Sequence, residues 1–433
     1  MSEVKINRLI LIGNGFDLAH GLKTSFYDFI NFIVYEIVLY IEKQVNNPSG
    51  IDNNIFETDF VVRTNYQKLL SFIIENKQTI PCVIENNEVL EKIQKIPDKI
   101  ENKYDDEYDY IEKYSSLFDE SFWVDAINYL LKLNPNSGNT TGIKLTLNRI
   151  LSGKKLLKNK LFEIIFKNAI PRNEKSKNWG GIEHDFYQTL LHVDKIYEGT
   201  NSQEKIDKLN KEFQNILEFF IYYMKSIVYK QKPRTMKKIE KHLYQPIKIK
   251  ELSINLAKKI YQEPIIVNEN LFLSFNYTNT IEEYITKYPE KWREKYIQIH
   301  GNLNDNLKSI IFGYGDEMDG SYKELEDKND NRYLKYSKSL RYLFNDNYKK
   351  LLNFLENDMY QVYIWGHSCA TSDRVLLQTI FEHKNCISIK PFYYQDENGM
   401  DNFDDICANI SRSFSNKKKL RDLVVSKEYC TTL

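Results

Sequence analysis

The chain has 433 residues, of which 42% are hydrophobic and 14% aromatic. That length suits two or three domains, or one domain with a large insertion, and that composition suits a sizeable packed core. Sixty Lys and Arg balance sixty Asp and Glu, so no global field steers the chain toward nucleic acid or a membrane surface. Cys82, Cys369, Cys386, Cys407 and Cys430 are scattered without a CxxC pair. This argues against a disulfide framework and fits a reducing, cytoplasmic setting. No basic region followed by an apolar core opens the chain, so no signal peptide is expected.

The first element is "RLILIGNG", a continuous apolar run stopped by glycine. This is the pattern of a buried parallel strand ending at Gly13. Ser25 and Asp28 then stand at capping-box spacing ahead of an apolar helix reaching about Lys43. That helix carries Asp28, Asn31 and Glu36, so it falls short of a membrane span and reads as buried. From there to about residue 264 the apolar residues recur at three-to-four-residue spacing. Examples are "TNYQKLLSFIIENK", "WVDAINYLLKL", "HDFYQTLLHVDKIYE" and "KLNKEFQNILEFFIYYMKSIVY". The middle is therefore expected to be all helical. Its charge is uneven, with nine acids and three bases over 98–120, and eleven bases and two acids over 225–259. These two surfaces either face each other or are solvated, in preference to a track for nucleic acid.

After about residue 265 strands alternate with helices. "NLFLSFN" is a strand, and "TIEEYITKY" a short helix with Thr280 and Glu283 as its capping box. "YIQIHGN" is a strand, followed by "SIIFGYG". A helical stretch is expected near 333–356, then the strand "QVYIWGHS", a helix from Asp373 to Glu382, and the strand "CISIKPFYY". Alternation of this kind builds a parallel sheet. The expected organisation is a discontinuous α/β nucleotide-binding domain from 1–44 and 265–433, interrupted by a helical insertion over 45–264.

Gly13, Asn14 and Gly15 form a turn between strand and helix, where backbone N–H groups can meet a phosphate. A third glycine three residues on would complete the dinucleotide pattern, but Leu18 stands there, so a tight turn explains the motif equally well. Asn276, His300, and the pair Gly366 and His367 end three further strands. In an open α/β sheet, ligands bind outside the carboxyl ends of the strands. These four polar strand ends are therefore expected to ring one crevice.

"LILIGNGFDLAHGLKTSFYDF", "LSFNYTNTIE", "IHGN" and "WGHSCATSDRVLL" resemble stretches of the bacteriophage abortive-infection AbiH family. Trp179 and Glu183 in "NWGGIEHDF" echo a W-x-x-x-E element, though core packing accounts for Trp179. More distantly, the chain is similar to sirtuins and their bacterial-defence relatives. Gly13, Gly15 and Gly21 stand at the spacing of the sirtuin opening motif. Ser274, Asn276 and Thr278 echo T-x-N-x-D. Ile299, His300 and Gly301 echo L-H-G. Gly366, His367 and Ser368 echo the late G-T-S.

This resemblance implies a Rossmann-like, sirtuin-like fold, with Asn276 orienting a ribose and a water and His300 acting as base on a ribose hydroxyl. The cofactor-binding set is Gly13, Asn14, Gly15, Asp17, Gly21, Ser274, Gly366, His367, Ser368 and Asp373. The sirtuin zinc ribbon is missing, which argues against a protein deacylase. Asp17 replaces the sirtuin serine. A carboxylate there repels a pyrophosphate unless it turns to a ribose hydroxyl, a metal or a helix N-terminus.

The favoured reading is anti-phage defence by hydrolysis of NAD, taken as substrate, at its nicotinamide–ribose bond, with no metal. One alternative is a metal-dependent nuclease using Asp17, His20, His300, His367 and Asp373. The other is a non-catalytic nucleotide sensor acting through a partner. A nucleotide, a second copy of the chain and a phage-derived trigger are the expected partners. Nucleic acid is not favoured, and no membrane is expected.

Overall fold

The computed structural model describes residues 3–26, 28–29, 160–161, 164–165, 180–199, 201–261, 263–286, 295–304, 309–315 and 319–433. The elements used below run in this order: β1 (Val4–Ile12), α1 (Asn14–Ala19), α2 (Gly180–Leu191), α3 (Ser202–Ser226), α4 (Lys237–Leu243), β2 (Ile265–Ser274), α5 (Glu282–Ile285), β3 (Tyr296–Gln298), α6 (Lys338–Arg341), α7 (Asn347–Asn357), β4 (Tyr360–Trp365), α8 (Arg374–Phe381), β5 (Cys386–Phe392), α9 (Phe403–Arg412) and α10 (Lys417–Leu423).

The five strands form one all-parallel sheet in the order β3-β2-β1-β4-β5. This is an α/β fold, as the alternating pattern requires. The chain steps outward from β1 through β2 to β3, then returns to the other side of β1 for β4 and β5. The order therefore reverses between β1 and β4, and all five carboxyl ends share one edge.

Successive side chains of a strand face opposite sides, and β1 sends each set into a different core. Leu9 and Leu11 pack with Leu273, Ile297, Leu355, Leu377 and Ile410, from β2, β3 and helices α7, α8 and α9. Ile10 and Ile12 pack with Ile239 and Leu243 of α4, Phe272, Tyr284 of α5 and Trp365. Because both faces are covered, the carboxyl halves of β1, β2 and β4 read as continuous apolar runs.

β1 is longer than the glycine-bounded run suggested. Val4–Ile6 pair with Ile265–Val267, and the register shifts between Ile6 and Arg8. Arg8 is fully buried inside the strand. Its guanidinium donates to the carbonyls of Leu243 and Gln245 and lies 4.3 Å over the Tyr363 ring. Burial lowers its pKa. Nearby, Glu251 and Lys390 form a buried pair at 2.7 Å. Within the basic stretch 225–259, Lys238 donates to Thr432 and to the Leu433 carbonyl. The acidic stretch 98–120 lies outside the described residues.

Other expectations meet the structure in detail. The helix expected from Asp373 begins at Arg374, with Asp373 as its N-cap residue. The stretch expected as helix near 333–356 consists of turns, α6, a 3-10 turn at Tyr342–Phe344, and α7. The capping box at α5 does not form. The helix starts without a side-chain cap, and the Thr280 hydroxyl donates instead to Thr278 Oγ1 at 3.2 Å. A closer polar partner has outcompeted the helix end. The helix expected from Ser25 to Lys43 is described at Phe26, Asp28 and Phe29, which are helical, and the rest of it, most of the middle segment and Trp179 lie outside the described residues.

Contacts divide the chain into two compact units. The first, which holds the sheet, comprises Met1–Ser25, Leu190–Ile206 and Leu217–Leu433. The second comprises Phe26–Thr189 and Asp207–Ile216. Within the second, the Phe186 ring of α2 stacks on Phe213 of α3 at 4.0 Å, and Glu212 accepts from the Leu161 amide.

The β1 and β4 turns are packed backbone to backbone. Gly366 has φ +65°, and a Cβ there would stand 2.1 Å from the Phe16 amide nitrogen. Gly399 has φ +80° but open space around it. Gly366→Ala is therefore expected to cost roughly 3 kcal/mol or more, from steric overlap added to backbone strain. Gly399→Ala should cost only about 1 kcal/mol, from the backbone conformation alone. Urea unfolding midpoints measure both, and equal losses would refute the packing argument.

Candidate functional site

The carboxyl edge is assembled from four turns that bond to one another. The Gly13 amide donates to the Trp365 carbonyl at 3.0 Å, and the Gly15 amide to the Gly366 carbonyl at 2.8 Å. A Cβ at Gly13 would meet His367 Cα at 2.4 Å, and one at Gly15 would meet the Gly366 carbonyl at 2.8 Å. Both glycines are thus demanded by the β4 turn, whatever else approaches them. Asn276 donates through Nδ2 to the Gly13 carbonyl at 3.0 Å, and its own amide donates to Ser274 Oγ. The His300 carbonyl accepts from Ile311. Gly301, at φ +87°, lets the returning chain at Ser309 pass where a Cβ would be 2.5 Å away.

Asp373, at the start of α8, is approached by three side chains. Lys338 Nζ donates to its Oδ1 at 2.8 Å. His300 Nε2 lies 3.3 Å from Oδ1, and His367 Nε2 lies 3.6 Å from Oδ2. All four residues are buried. Burial by itself would raise the Asp373 carboxyl. Lys338 and the hydrogen bonds from the two histidines outweigh it and hold the group well below the usual carboxylate range.

The other ring nitrogens fix the orientation of each imidazole. His300 Nδ1 lies 3.1 Å from the Phe275 carbonyl, which only accepts, so this nitrogen carries a proton. His367 Nδ1 accepts from the Cys369 amide at 3.0 Å, so its proton sits on Nε2, toward Asp373. The Phe275 ring packs on both, with centroids 5.4 Å from His300 and 4.1 Å from His367. Cys369 takes a positive φ of 54° to bring its amide into place.

Asp17 makes a second, contrasting cluster. It is 1% exposed. Its Oδ2 accepts from Thr278 Oγ1 at 2.6 Å, while Oδ1 is buried without a hydrogen-bond partner. Among the described residues no lysine, arginine or histidine forms an ion pair with it. Burial pushes its carboxyl up to about 6, against the opposing pull of Thr278, Thr280 and Asn276. On the same helix His20 donates from Nδ1 to the Phe16 carbonyl, and Nε2 accepts from the Tyr284 hydroxyl at 2.5 Å. That hydroxyl in turn accepts from the Met236 amide. Burial lowers the pKa of His20.

The structure therefore joins Gly13, Gly15, Gly366, His367, Ser274 and Asn276 in one bonded set. It joins His300, His367 and Asp373 in another. Asp17 belongs with Thr278, and His20 with Tyr284. The five residues proposed as nuclease ligands thus fall into separate clusters. Among the described residues no three His, Cys, Asp or Glu are arranged to hold a metal. Asn14 opens α1. Gly21, exposed and at φ +79°, ends α1 away from the strand turn. The Ser368 carbonyl accepts from Asn409. Lys338 was not anticipated. It is one of sixty basic residues, and only its 2% exposure and its bond to Asp373 single it out.

A family model described as bacteriophage abortive infection AbiH matches residues 9–394. No curated protein and no solved structure matches the chain.

Two expected outcomes follow from the buried carboxylates. Lys338→Met leaves Asp373 with no lysine, and it should cost about 3–5 kcal/mol in chemical unfolding, as when one partner of a buried pair is removed. Adding Asp373→Asn should recover part of that loss, and strictly additive losses would dissolve the pair. For Asp17 the folded-state pKa is raised, so its contribution to stability is fully present below the unfolded value near 4 and is lost as pH rises through about 6. Asp17→Asn should therefore gain on the wild type by about 1–3 kcal/mol between pH 4 and pH 7.5. A stability difference that does not change with pH would show that Asp17 titrates normally.

Proposed function

The chain belongs to the bacteriophage abortive infection AbiH family, and we propose that it acts there by hydrolysing NAD at the nicotinamide–ribose bond. Loss of NAD stops the metabolism of an infected cell. The observation that supports this reading is the convergence of His300, His367 and Asp373 at the carboxyl edge, beside the reversal of strand order between β1 and β4. A Rossmann-like sheet of this order places its ligand at that reversal. The helical segment between β1 and β2 is read as an insertion into it, and the setting as cytoplasmic. Among the described residues no helix is long and apolar enough to cross a membrane.

In this reading Asn276 orients the ribose and a water, and His300 takes a proton from a ribose hydroxyl. Both residues exchange partners to do so. Asn276 gives up the Gly13 carbonyl, and His300 turns one nitrogen away from Phe275 or Asp373. Gly13 and Gly15 already donate to Trp365 and Gly366, so their amides are not the pyrophosphate's anchors in this arrangement. Lys338 and His367 bring cationic and donor character to the same edge.

One observation favours a second reading, a nucleotide sensor without turnover. Each polar group just named is engaged inside the protein, as befits a site that changes shape on binding. A phage-derived trigger and a second copy of the chain are the proposed partners in either case.

Purified full-length protein incubated with NAD, with and without EDTA, separates these readings by chromatography of the products. Nicotinamide release unaffected by EDTA is expected. His300→Ala should reduce the rate by roughly 10²–10⁴, the usual share of acid–base catalysis, with a thermal melt confirming the fold. Binding without release favours the sensor. Cleavage of nucleic acid only with divalent metal favours a nuclease.

A further inference from the structure

Two carboxylates are buried at the carboxyl edge, and among the described residues a lysine pairs with one of them. Asp373 accepts from Lys338 at 2.8 Å, with His300 Nε2 and His367 Nε2 at 3.3 and 3.6 Å. Asp17 accepts from Thr278 at 2.6 Å, the side chains of Thr280 and Asn276 also bear on its carboxylate, and its Oδ1 is buried without a hydrogen-bond partner of its own. Burying an unpaired carboxylate is costly.

Its known contact does not require a carboxylate. An asparagine at position 17 would accept the Thr278 hydroxyl through its amide oxygen just as well, without any charge to desolvate. What a carboxylate adds over an amide is the capacity to take up a proton. The neighbouring groups suit that use. Thr280 donates to Thr278 Oγ1 at 3.2 Å, and Thr278 donates to Asp17 at 2.6 Å. The two hydroxyls form a short chain directed at the ionised form. Asn276, assigned to the ribose and its water, adjoins the same carboxylate.

Among the described residues, the titratable groups near Asp17 are engaged elsewhere, and Glu282 acts with Asp17 on Tyr296. His20, on its own helix, is committed at both nitrogens to Phe16 and Tyr284. Tyr284 of α5 accepts from Met236 and donates to His20. Tyr296 of β3 has its hydroxyl pushed upward by burial, with the Asp17 charge adding to the effect.

We infer that Asp17 is the group that accepts the proton of the water attacking the ribose, through its unpartnered Oδ1. The inference rests on the NAD-hydrolase reading and supplies a base which that reading lacks, since His300 was assigned to a ribose hydroxyl. In the step, the bond between C1′ and the nicotinamide nitrogen breaks. Its electron pair stays on that nitrogen, and nicotinamide leaves as a neutral base. The water oxygen bonds C1′ and its proton passes to Asp17, then to solvent. The products are nicotinamide, ADP-ribose and one proton. A dry site strengthens a carboxylate as a base, which gives a use to burial that stability alone does not explain.

The test is the pH profile of nicotinamide release by the full-length wild type, Asp17→Asn and Thr278→Val, with thermal melts on each. Asp17→Asn should lose roughly 10²–10⁴ in kcat while remaining folded. Thr278→Val removes a hydrogen bond to the ionised form, so the acidic limb of its kcat/KM profile should move to higher pH. Carboxyl carbon NMR of the wild type should show one aspartate titrating near pH 6, absent in Asp17→Asn. If wild type releases nicotinamide and Asp17→Asn keeps its rate, the inference is overturned and the NAD reading stands. An unmoved acidic limb in folded Thr278→Val also overturns it. A wild type that releases no nicotinamide under any condition overturns both.

Discussion

A Cβ on Gly366 would stand 2.1 Å from the Phe16 nitrogen, and a Cβ on Gly13 would stand 2.4 Å from the His367 Cα. Such an approach is open only to glycine. It brings the turn after β1 and the turn after β4 into direct backbone contact, where the amides of Gly13 and Gly15 donate to the Trp365 and Gly366 carbonyls. Everything else at the edge is referenced to this contact. Asn276 is fixed by the Gly13 carbonyl, and His367 follows directly on Gly366. Asp17 occupies the helix that the first turn launches. Widening the approach by one methyl group would separate the two halves of the sheet where their order reverses.

Around that junction, charge is distributed unevenly. Asp373 is held ionised beside a lysine and two imidazoles, while burial raises the Asp17 carboxyl to about 6. Environments that push two carboxylates apart in pKa assign them different chemical work, one a fixed negative centre and the other a proton carrier. The fixed centre has a structural effect of its own. It ties α8 to α6 through Lys338, and to the chain after β3 through His300. The segment between β3 and β4 is thereby drawn onto the carboxyl edge.

The sheet was legible because its strands are buried on both faces, so each appears as an unbroken apolar run ending in a polar or glycine turn. Leu9 to Ile12, Leu271 to Leu273 and Val362 to Trp365 all have that form. The shared edge followed from their parallel sense. The reason for the glycines was not legible. Gly15 next to a helix start suggests a phosphate, whereas its position faces the Gly366 carbonyl, a contact between turns some 350 residues apart in the sequence. Thr280 was read as a cap because local spacing is all that a sequence offers, and a non-local partner, Thr278 beside Asp17, claimed its hydroxyl. Arg8 and Lys338 escaped notice for the same reason. A lysine or arginine is normally solvated, and only the fold shows which one has been taken inside.

The state of the edge also bears on the proposed binding of a nucleotide there. Most of its donors and acceptors have internal partners, so each new bond to a ligand replaces one within the protein. An exchange of that kind returns little net free energy, since a hydrogen bond contributes only about 0.5–1.5 kcal/mol beyond the one it replaces with water. In the proposed roles Asn276 would release the Gly13 carbonyl, and His300 Nδ1 the Phe275 carbonyl. Two buried atoms of this edge, Asp17 Oδ1 and His300 Nε2, have no hydrogen bond to surrender, so a group that bonds to either one removes a standing desolvation cost without breaking an internal bond.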